Sequence, residues 1–510
     1  MDYPDPNLPA GSASLVEPIP FKIEPEVPPT PPEGPGPIAS NNFQPIVNQP
    51  ESPLEGASQA IKSFVSAETA GGGAPVFSKL KLLLPILGVL VLLVVIIGVV
   101  FKVIIPMFSK GVGGQAALTY WGLWEDDNVF EGVLSDYQKN HPKVKITYQR
   151  QSANDYRERL QSALARGDGP DIFRFHNTWV PMLKNELSPV SSKAYDAASF
   201  EKIFYPIAQS DLRVGSSYVG IPLEYDGLAL FVNNSIFQSA GKIVPKTWDD
   251  LRKTASELTV RDSSGQIQIA GVALGRTENI DHWSDILGLM LLQNGADPSR
   301  PAGNLVEDAL TYFTLFSRVD RDWDQTLPPS TVAFSGGKVA MYFGPSWEVF
   351  EIKRANPSLD FSTVPVPQLP ETNLTWASYW VEGVSKKSKN SDAAWDFLKY
   401  LSSKEVLQKL YDGESKLRLF GEPYSRIDMA DQLTGQPYVG AYIQQAPNAR
   451  SWYLSSRTFD NGINDKIIKY YEDAINTINQ GKTAKEALVL TAQGVAQVLG
   501  QYGLGASVVR

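Results

Sequence analysis

The chain has 510 residues, of which 43% are hydrophobic, 20% charged and 11% aromatic, a size typical of roughly two to four domains. It contains no cysteine, which excludes disulfides, thiolate nucleophiles, cysteine-ligated zinc and the thiol of a lipoprotein anchor. The net charge is −9, and an acidic chain has no field that attracts phosphate backbones, so nucleic-acid binding is disfavoured.

The N-terminal segment, residues 1–78, has a composition unlike the rest. It contains 16 of the 37 prolines and carries a net charge of −7. Its sparse apolar residues cannot offset the entropy lost when the backbone is ordered, so we predict a disordered, partly polyproline II arm. A solvated spacer is the favoured role, and a ligand for a proline-recognising groove is the alternative.

A transmembrane helix is predicted within residues 79–108. Residues 82–101 are uncharged and apolar, and at about 1.5 Å per residue they span roughly 30 Å, the thickness of a bilayer's hydrocarbon core. A cleaved signal peptide is the alternative, which the long preceding arm and the length of the apolar run disfavour. Equal numbers of lysines on the two sides leave the orientation open, and residues 109–115 form a linker.

The remaining residues, 116–510, alternate between strand and helix patterns. The pattern begins with a strand at 117–121, a helix at 129–137 that stops before Pro142, a strand at 144–148, a helix at 156–164 and a strand at 172–173. This β-α-β-α-β order predicts a parallel sheet with helices on both faces. Because about 395 residues exceed one hydrophobic core of ordinary size, we predict two α/β lobes.

Two helix starts in this region are marked by capping residues. Thr247 with Asp250, and Thr483 with Glu486, have the spacing of a capping box, in which a hydroxyl and a carboxyl satisfy free backbone N–H groups. Helices are therefore predicted to begin after Thr247 and Thr483.

Sequence signatures of catalysis and of cofactor binding are absent. The chain has no phosphate-binding glycine–lysine loop, no dinucleotide-binding glycine fingerprint, no Gly-x-Ser-x-Gly elbow and no pair of histidines at helical spacing. Its three histidines, His141, His176 and His282, are scattered, and His176 is open to a ligand contact or a structural role. We therefore predict no catalytic residue, no metal site and no cofactor.

An acidic run follows the first predicted strand. Glu125, Asp126 and Asp127 come directly after Trp124. Acid–base catalysis on a sugar would need a second, suitably spaced carboxylate, which this run does not offer, so helix capping or hydrogen bonding to a ligand is favoured. Trp124, Glu125 and Asp126 are included in the predicted ligand site.

Large aromatic residues are concentrated at predicted strand ends and in loops, often beside polar residues. In open α/β sheets, ligands bind beyond the carboxyl ends of the strands, and flat aromatic faces next to amides and carboxylates suit a sugar ring. Core positions are predicted for Trp121, Trp283 and Trp395. Ligand contacts are predicted for Trp124, Trp179 and Trp347.

Several segments together carry a family likeness, and their order along the chain makes the likeness specific. They are residues 118–121 with 124–126, 169–173, 220–233, 245–251, and 334–342 with 344–347. From about residue 116 to 500, the chain resembles the extracellular solute-binding proteins of ABC importers, the large family that includes maltose-binding protein.

The resemblance implies a two-lobed, periplasmic-binding-protein-like (type II) α/β fold over residues 116–510, with the ligand enclosed between lobes that are joined by hinge strands. By position, Asp226 would hydrogen-bond ligand hydroxyls and Trp347 would stack on a sugar ring. The other ligand contacts implied are Trp179, Tyr225, Trp376, Tyr379 and Trp380. Residues 176–179 replace the charged residues that grip maltose in the family, so a different carbohydrate is expected.

The family's role implies capture of an oligosaccharide-like carbohydrate outside the cell and an ABC permease as partner. With no cysteine for a lipid anchor, residues 82–101 would tether the protein to the bilayer, with residues 1–78 in the cytoplasm and residues 116–510 outside. Two alternatives remain open. One is a membrane-tethered sensor or adhesion module of the same fold, and the other is a carbohydrate-active enzyme, for which a spaced carboxylate pair is lacking.

Overall fold

The computed structural model describes residues 115–505, which form two main β-sheets with helices packed on them. The strands are β1 (Ala116–Gly122), β2 (Val144–Arg150), β3 (Ile172–His176), β4 (Arg213–Val214), β5 (Ser217–Tyr218), β6 (Ala229–Asn233), β7 (Val260–Arg261), β8 (Ile267–Val272), β9 (Val339–Gly344), β10 (Phe361–Val364), β11 (Thr375–Trp376), β12 (Trp380–Val384) and β13 (Ala449–Arg450).

The helices alternate with these strands. The α-helices are α1 (Asp127–Asn140), α2 (Tyr156–Arg166), α3 (Val180–Leu183), α4 (Ala197–Ile203), α5 (Pro206–Asp211), α6 (Asn234–Ser239), α7 (Trp248–Leu258), α8 (Trp283–Gln293), α9 (Asn304–Arg318), α10 (Ser330–Ser335), α11 (Glu348–Ala355), α12 (Ser391–Leu401), α13 (Lys404–Glu414), α14 (Gly440–Gln445), α15 (Ile463–Asn479) and α16 (Ala484–Gln501). Short 3-10 helices within residues 115–505 are Asn177–Trp179, Ile427–Gln432 and Ala446–Asn448.

The first sheet has the strand order β12-β3-β1-β2. β1 pairs in parallel with both β2 and β3, as the β-α-β-α-β pattern predicted, and β12 pairs antiparallel with β3. Helices α1 and α2 connect these strands, and α12 and α13 pack on the same half of the molecule. This half is termed the first lobe.

Helix α1 follows from local sequence signals. Asp126 caps its N-terminus by accepting a hydrogen bond from the backbone N–H of Asn128 at 2.9 Å. Residues three and four apart, from Phe130 to Tyr137, form its buried face. The helix ends at Asn140, because Pro142 disfavours the helical conformation of the residue before it.

The two predicted caps are also present. Thr247 accepts a hydrogen bond from the backbone N–H of Asp250 at the start of α7, and Thr483 and Glu486 form the complete reciprocal box at the start of α16. Each cap satisfies backbone donors that have no partner within the helix. The starts of α7 and α16 are therefore confirmed.

The second sheet has the order β10-β6-β9-β8-β7, in which only β8 and β9 pair in parallel. Every residue of the interior strands β6 and β9 is buried. Helices α7 and α10 pack against this sheet, and α15 packs on α9 and α16. This half is termed the second lobe.

Two segments that cross between the lobes run side by side. The segment before β6 is bridged to β12 between Ile221 and Glu382, and to the residues just before β12 between Gly227 and Ala377. A Cβ atom at position 227 would lie 2.0 Å from the carbonyl oxygen of Trp376, so only glycine fits there. The two crossings are thus in direct backbone contact.

Two of the three tryptophans predicted to be core are buried. Trp283 is 8% exposed and Trp395 is 1% exposed. The expectation for Trp121 was wrong, because its indole is half-buried and its N–H donates to the side-chain oxygen of Gln149 at 2.8 Å. Gln149 is directly opposite on β2, so the pair lies on a sheet face that reaches solvent.

Several predictions concern residues that the structure does not describe. The arm at 1–78, the apolar stretch at 82–101 and nearly all of the linker at 109–115 lie outside residues 115–505. Within 115–505, no helix combines the length and the apolar character needed to cross a bilayer.

Candidate ligand-binding site

A cavity of about 420 Å³ lies between the two lobes, within the size range of small-molecule sites. Residues from both lobes, from both crossings and from a segment before α15 line it. The lining residues include Trp124, His176, Trp380, His282, Asp285, Trp347, Glu224, Asp226, Arg418, Glu422, Arg457 and Phe459.

A second cavity, of about 410 Å³, is lined by Asn177, Lys184, Arg450 and Trp452 among others. None of the residues predicted to contact ligand lines it. Four of them, by contrast, line the first cavity: Trp124, Asp226, Trp347 and Trp380. The first cavity is therefore the candidate site.

The first-lobe wall is built around two indoles. Trp124 follows β1 and Trp380 begins β12, and their rings meet edge to face with centroids 5.1 Å apart. Trp380 also packs edge to face on His176, at 5.2 Å. Both indoles are half-buried, so each keeps a part of its surface for the cavity.

The second-lobe wall presents Trp347, which lies between β9 and α11. Its half-buried ring packs edge to face against His282, with centroids 5.6 Å apart. The guanidinium carbon of Arg457 lies 5.6 Å from the same ring. Indoles thus line the cavity on both lobes.

Asp226, on the first crossing, bonds to the second lobe. Its oxygens accept from the backbone N–H of Ser346 at 3.0 Å, from the hydroxyl of Ser346 at 2.9 Å and from the N–H of Gly227 at 2.8 Å. Burial raises the pKa of Asp226 to about 7, although these hydrogen bonds oppose the rise. Its carboxyl group, predicted to contact ligand hydroxyls, is therefore engaged with the protein.

The acidic run after β1 has structural partners. Glu125 is 5% exposed, forms an ion pair with Arg174, and accepts a hydrogen bond from the Tyr148 hydroxyl at 3.1 Å. Asp126 caps α1. Neither residue is part of the wall of the candidate cavity.

Four further predicted contacts are buried and do not line the candidate cavity. Trp179 is 1% exposed and packs edge to face on Trp380, and the Trp376 indole N–H donates to Asp285 at 2.9 Å. Tyr379 donates its hydroxyl to Asp211 at 3.1 Å, and Tyr225 is 2% exposed. Trp179 and Trp376 support wall residues, so they reach the cavity only through Trp380 and Asp285.

A buried ion-pair network lies behind Trp124. Arg174, 2% exposed, contacts Glu125 and also Glu382, the latter at 2.6 Å. Its guanidinium carbon lies 5.0 Å from the Trp124 ring, within the range of a cation–π contact. Burial raises the pKa of Glu382 to about 7 although Arg174 acts in the opposite direction. The Arg174 guanidinium and the Trp380 ring thus both support the Trp124 indole.

The two histidines of the cavity wall differ in charge. Burial lowers the pKa of His176 to about 3, so its ring is neutral. For His282, burial also favours the neutral form, but the nearby carboxylates of Asp285 and Glu348 outweigh it and raise the pKa to about 9. The distance from His282 Nε2 to Glu348 Oε1 is 2.8 Å. A cationic imidazole therefore stands behind Trp347.

The segment before α15 borders the cavity and has an unusual backbone. Arg457, Phe459 and Asn461 all have positive φ angles, of 55°, 49° and 44°. Such conformations cost non-glycine residues energy and persist where surrounding contacts hold them. The buried Asp460 provides such contacts by accepting from the backbone N–H groups of Gly462 and Asn464. The segment places Phe459, which is 55% exposed, at the cavity.

Sequence reasoning missed several wall residues. Glu224 lies within the segment 220–233, which is mostly apolar and also contains Asp226. The presence of a second carboxylate in this segment could have marked Glu224 as a site residue. His282, Asp285, Arg418, Glu422 and Phe459 reach the cavity only through long-range packing. Nothing in their local sequence marks them.

Metal binding has no support in the described part of the chain. Among residues 115–505, no group of three or more His, Cys, Asp or Glu side chains is arranged to hold a metal ion. The polar groups of the cavity therefore offer hydrogen bonds and charge to a ligand.

Two lobes joined by paired crossings, with a cavity between them, define a two-lobed binding protein. A family model described as bacterial extracellular solute-binding protein matches residues 133–416. The match covers more than half of the chain, so the protein belongs to this family, whose members bind solutes outside the cell and are not enzymes.

Curated relatives carry sugar-binding names. The multiple sugar-binding protein of Streptococcus mutans is 22% identical over 307 residues, which cover 56% of this chain and 71% of that protein. The diacetylchitobiose-binding protein of Streptomyces coelicolor is 24% identical over 313 residues, with coverages of 57% and 70%.

Solved structures share the fold. A cyclo/maltodextrin-binding protein in complex with maltotetraose has a TM-score of 0.63 at 17% identity, covering 76% of this chain and 98% of its own. An ABC transporter solute-binding protein of Thermotoga lettingae, bound to α-D-tagatose, has a TM-score of 0.58 at 20% identity, with coverages of 76% and 100%. The two-lobed α/β prediction is confirmed at the level of the fold.

Proposed function

We propose that this protein captures a carbohydrate in the cavity between its lobes and delivers it to an ABC permease. The observation that carries the proposal is the arrangement of Trp124 and Trp380 on one lobe and Trp347 on the other, all lining one cavity of about 420 Å³. Indole faces suit the apolar face of a sugar ring, and adjacent polar groups suit its hydroxyls.

The names of the relatives support the ligand class. Proteins similar to this chain bind multiple sugars, diacetylchitobiose and maltotetraose according to their descriptions. The wall chemistry agrees, because Asp226, Ser378 and Ser456 add oxygen atoms beside the indoles.

Ligand capture would close the two lobes on each other. A ligand that touches Trp124 and Trp347 together forms both sets of contacts only when the lobes are close, so it favours that arrangement. The permease would then recognise the closed form.

The proposal includes a membrane tether. Residues 82–101 are apolar and long enough to span a bilayer, and the absence of cysteine excludes a lipid-modified thiol. Residues 1–78 would then lie in the cytoplasm and residues 116–510 outside, connected through the linker at 109–115.

Isothermal titration of the full-length chain in detergent, against oligosaccharides of different composition, tests the ligand class. We expect at least one oligosaccharide to bind with a 1:1 stoichiometry. If no oligosaccharide gives a heat of binding and a solute of another class, such as a peptide, does bind, the carbohydrate assignment is rejected. The family assignment would remain valid.

A further inference from the structure

A small acidic chamber adjoins the candidate cavity on its first-lobe side. Its volume is about 20 Å³, and its wall includes Glu125, Glu224, Glu414 and Glu422 together with Arg174. Glu224 and Glu422 also line the main cavity, so the two spaces share these side chains. A void of this size accommodates one water-sized group.

Carboxyl groups outnumber guanidinium groups around the chamber. Five carboxylates surround two guanidinium groups: Glu125, Glu224, Glu382, Glu414 and Glu422 around Arg174 and Arg418. Arg174 pairs with Glu125 and Glu382, and one nitrogen of Arg418 lies 2.5 Å from Glu414 and 2.6 Å from Glu422. The other titratable groups near these carboxylates are Asp226, which lies close enough to Glu422 to feel its charge, and a set of tyrosines, which are neutral at ordinary pH: Tyr120, Tyr148, Tyr156, Tyr411 and Tyr424.

Glu224 is the carboxylate that neither arginine contacts. Its side chain is 5% exposed, and its Oε2 atom has no hydrogen-bond donor among the described residues. Burial raises its pKa well above the ordinary value, and the neighbouring Glu422 adds to the rise. A buried carboxylate is costly unless a proton or a cation compensates it.

A metal ion does not fit the arrangement, since residues 115–505 contain no group of three or more potential ligands with suitable geometry. An ammonium group does fit. It is close to a water molecule in size, carries one positive charge and offers three N–H donors. The indoles of Trp124 and Trp380 border the adjoining main cavity, and aromatic ring faces attract cations.

We propose that the acidic chamber is a subsite for a protonated amine, and that the solute is a carbohydrate bearing an amino group. The inference rests on the proposed function, because the sugar rings occupy the main cavity while the amine enters the chamber. The amine donates to Glu224 Oε2, which has no donor among the described residues, and it replaces a proton that the free chamber holds. Sugars without an amine leave that proton in place.

Titration of the full-length protein with glucosamine, N-acetylglucosamine and glucose oligomers, matched in length and linkage, tests the subsite. We expect the glucosamine oligomer to bind at least about tenfold tighter than either neutral counterpart. Equal or tighter binding of a neutral oligomer would overturn the amine subsite and leave the carbohydrate function standing. If no oligomer binds, the proposed function itself fails, and the subsite with it.

Proton release provides a second measurement on the unmodified protein. Because the free chamber holds protons near neutral pH, an incoming ammonium group should displace about one proton. Calorimetry in two buffers with different ionisation enthalpies at about pH 6.5 should show this release with the glucosamine oligomer and none with a neutral one. Identical proton uptake or release for both ligands would contradict the proposal.

The substitution Glu224→Gln removes the charge while keeping the shape. We expect the preference for the amine-bearing oligomer to disappear in this variant. Glu131→Gln, on the exposed face of α1, is the matched control and should keep the full preference. A Glu224→Gln protein that still prefers the amine by the original factor would overturn the assignment of Glu224.

Discussion

The two walls of the cavity both present indoles, but the buried groups behind them differ. On the first lobe, Trp124 lies against Arg174, which is paired with Glu125 and Glu382. On the second lobe, Trp347 lies against His282, which is bonded to Glu348. The first-lobe wall therefore depends on the permanent charge of Arg174. The second-lobe wall depends on the charge of His282, which is lost at high pH.

Buried charges help to position the aromatic surface on both lobes. Neither indole is held by apolar packing alone, because each is backed by a buried cation whose partners lie on other elements. The two lobes should therefore respond differently to substitution and to pH. The predictions that follow test this contrast.

Arg174→Met should have the largest effect, because it leaves Glu125 and Glu382 buried without their cation. We expect the free energy of unfolding to fall by about 3–5 kcal/mol, measured by urea denaturation near neutral pH. Arg354→Met is the control, since the Arg354–Glu351 pair is exposed and should contribute almost nothing. A loss no larger than that of the control would show that the network does not support the first-lobe wall.

His282 should give the second lobe a distinct pH dependence. Its pKa of about 9 lies above the value of 6.5 for an unperturbed histidine, so its stabilising contribution is complete below about pH 6.5 and is lost as the pH rises through 9. The contribution amounts to about 3 kcal/mol. Unfolding free energies of the unmodified protein and of His282→Gln, compared from about pH 6 to 10, should converge at the alkaline end. A constant difference would contradict the cationic form of His282.

Trp347→Ala should weaken carbohydrate binding by roughly 1–3 kcal/mol through lost stacking and burial. Trp124→Ala should have a similar effect on affinity, measured by the same titration. Leu490→Ala, on the exposed face of α16, serves as the control and should bind normally. Unchanged affinity in both tryptophan variants would show that the binding site lies elsewhere.

Asp226→Asn should have the smallest effect, a loss of about 1 kcal/mol in affinity or less. The neutral side chain keeps one oxygen for Ser346 but loses the charge available to ligand hydroxyls. Ser346→Ala separates the two roles, because it weakens the contact between crossing and second lobe by removing the hydroxyl bond to Asp226, while the carboxyl group and the bond from the backbone N–H of residue 346 stay. If Ser346→Ala weakens binding as much as Asp226→Asn does, the role of Asp226 is to hold the second lobe.

The sequence predicts the first lobe well because its signals are local. One short stretch of sequence contains the apolar spacing of α1, its cap at Asp126 and its end before Pro142. The alternation of strands β1 to β3 with helices specifies a parallel sheet. Placement at strand ends and in loops indicated both Trp124 and Trp347, and the family resemblance added Trp380.

The remainder of the site depends on contacts that no local pattern encodes. Glu125 forms an ion pair with Arg174, and the Trp376 indole donates a hydrogen bond to Asp285. These two residues were expected at the cavity but lie behind its wall. Arg418, Glu422 and Phe459 reach the cavity from segments remote in sequence. Their positions follow from how the C-terminal segments pack across both lobes.

A crystal structure of the full-length protein with a bound oligosaccharide tests the central claim most directly. The account predicts a sugar in the cavity of about 420 Å³, with its rings against Trp347 on one lobe and against Trp124 or Trp380 on the other. A sugar bound instead in the second cavity, beside Lys184 and Arg450, or on the outer surface, would contradict it.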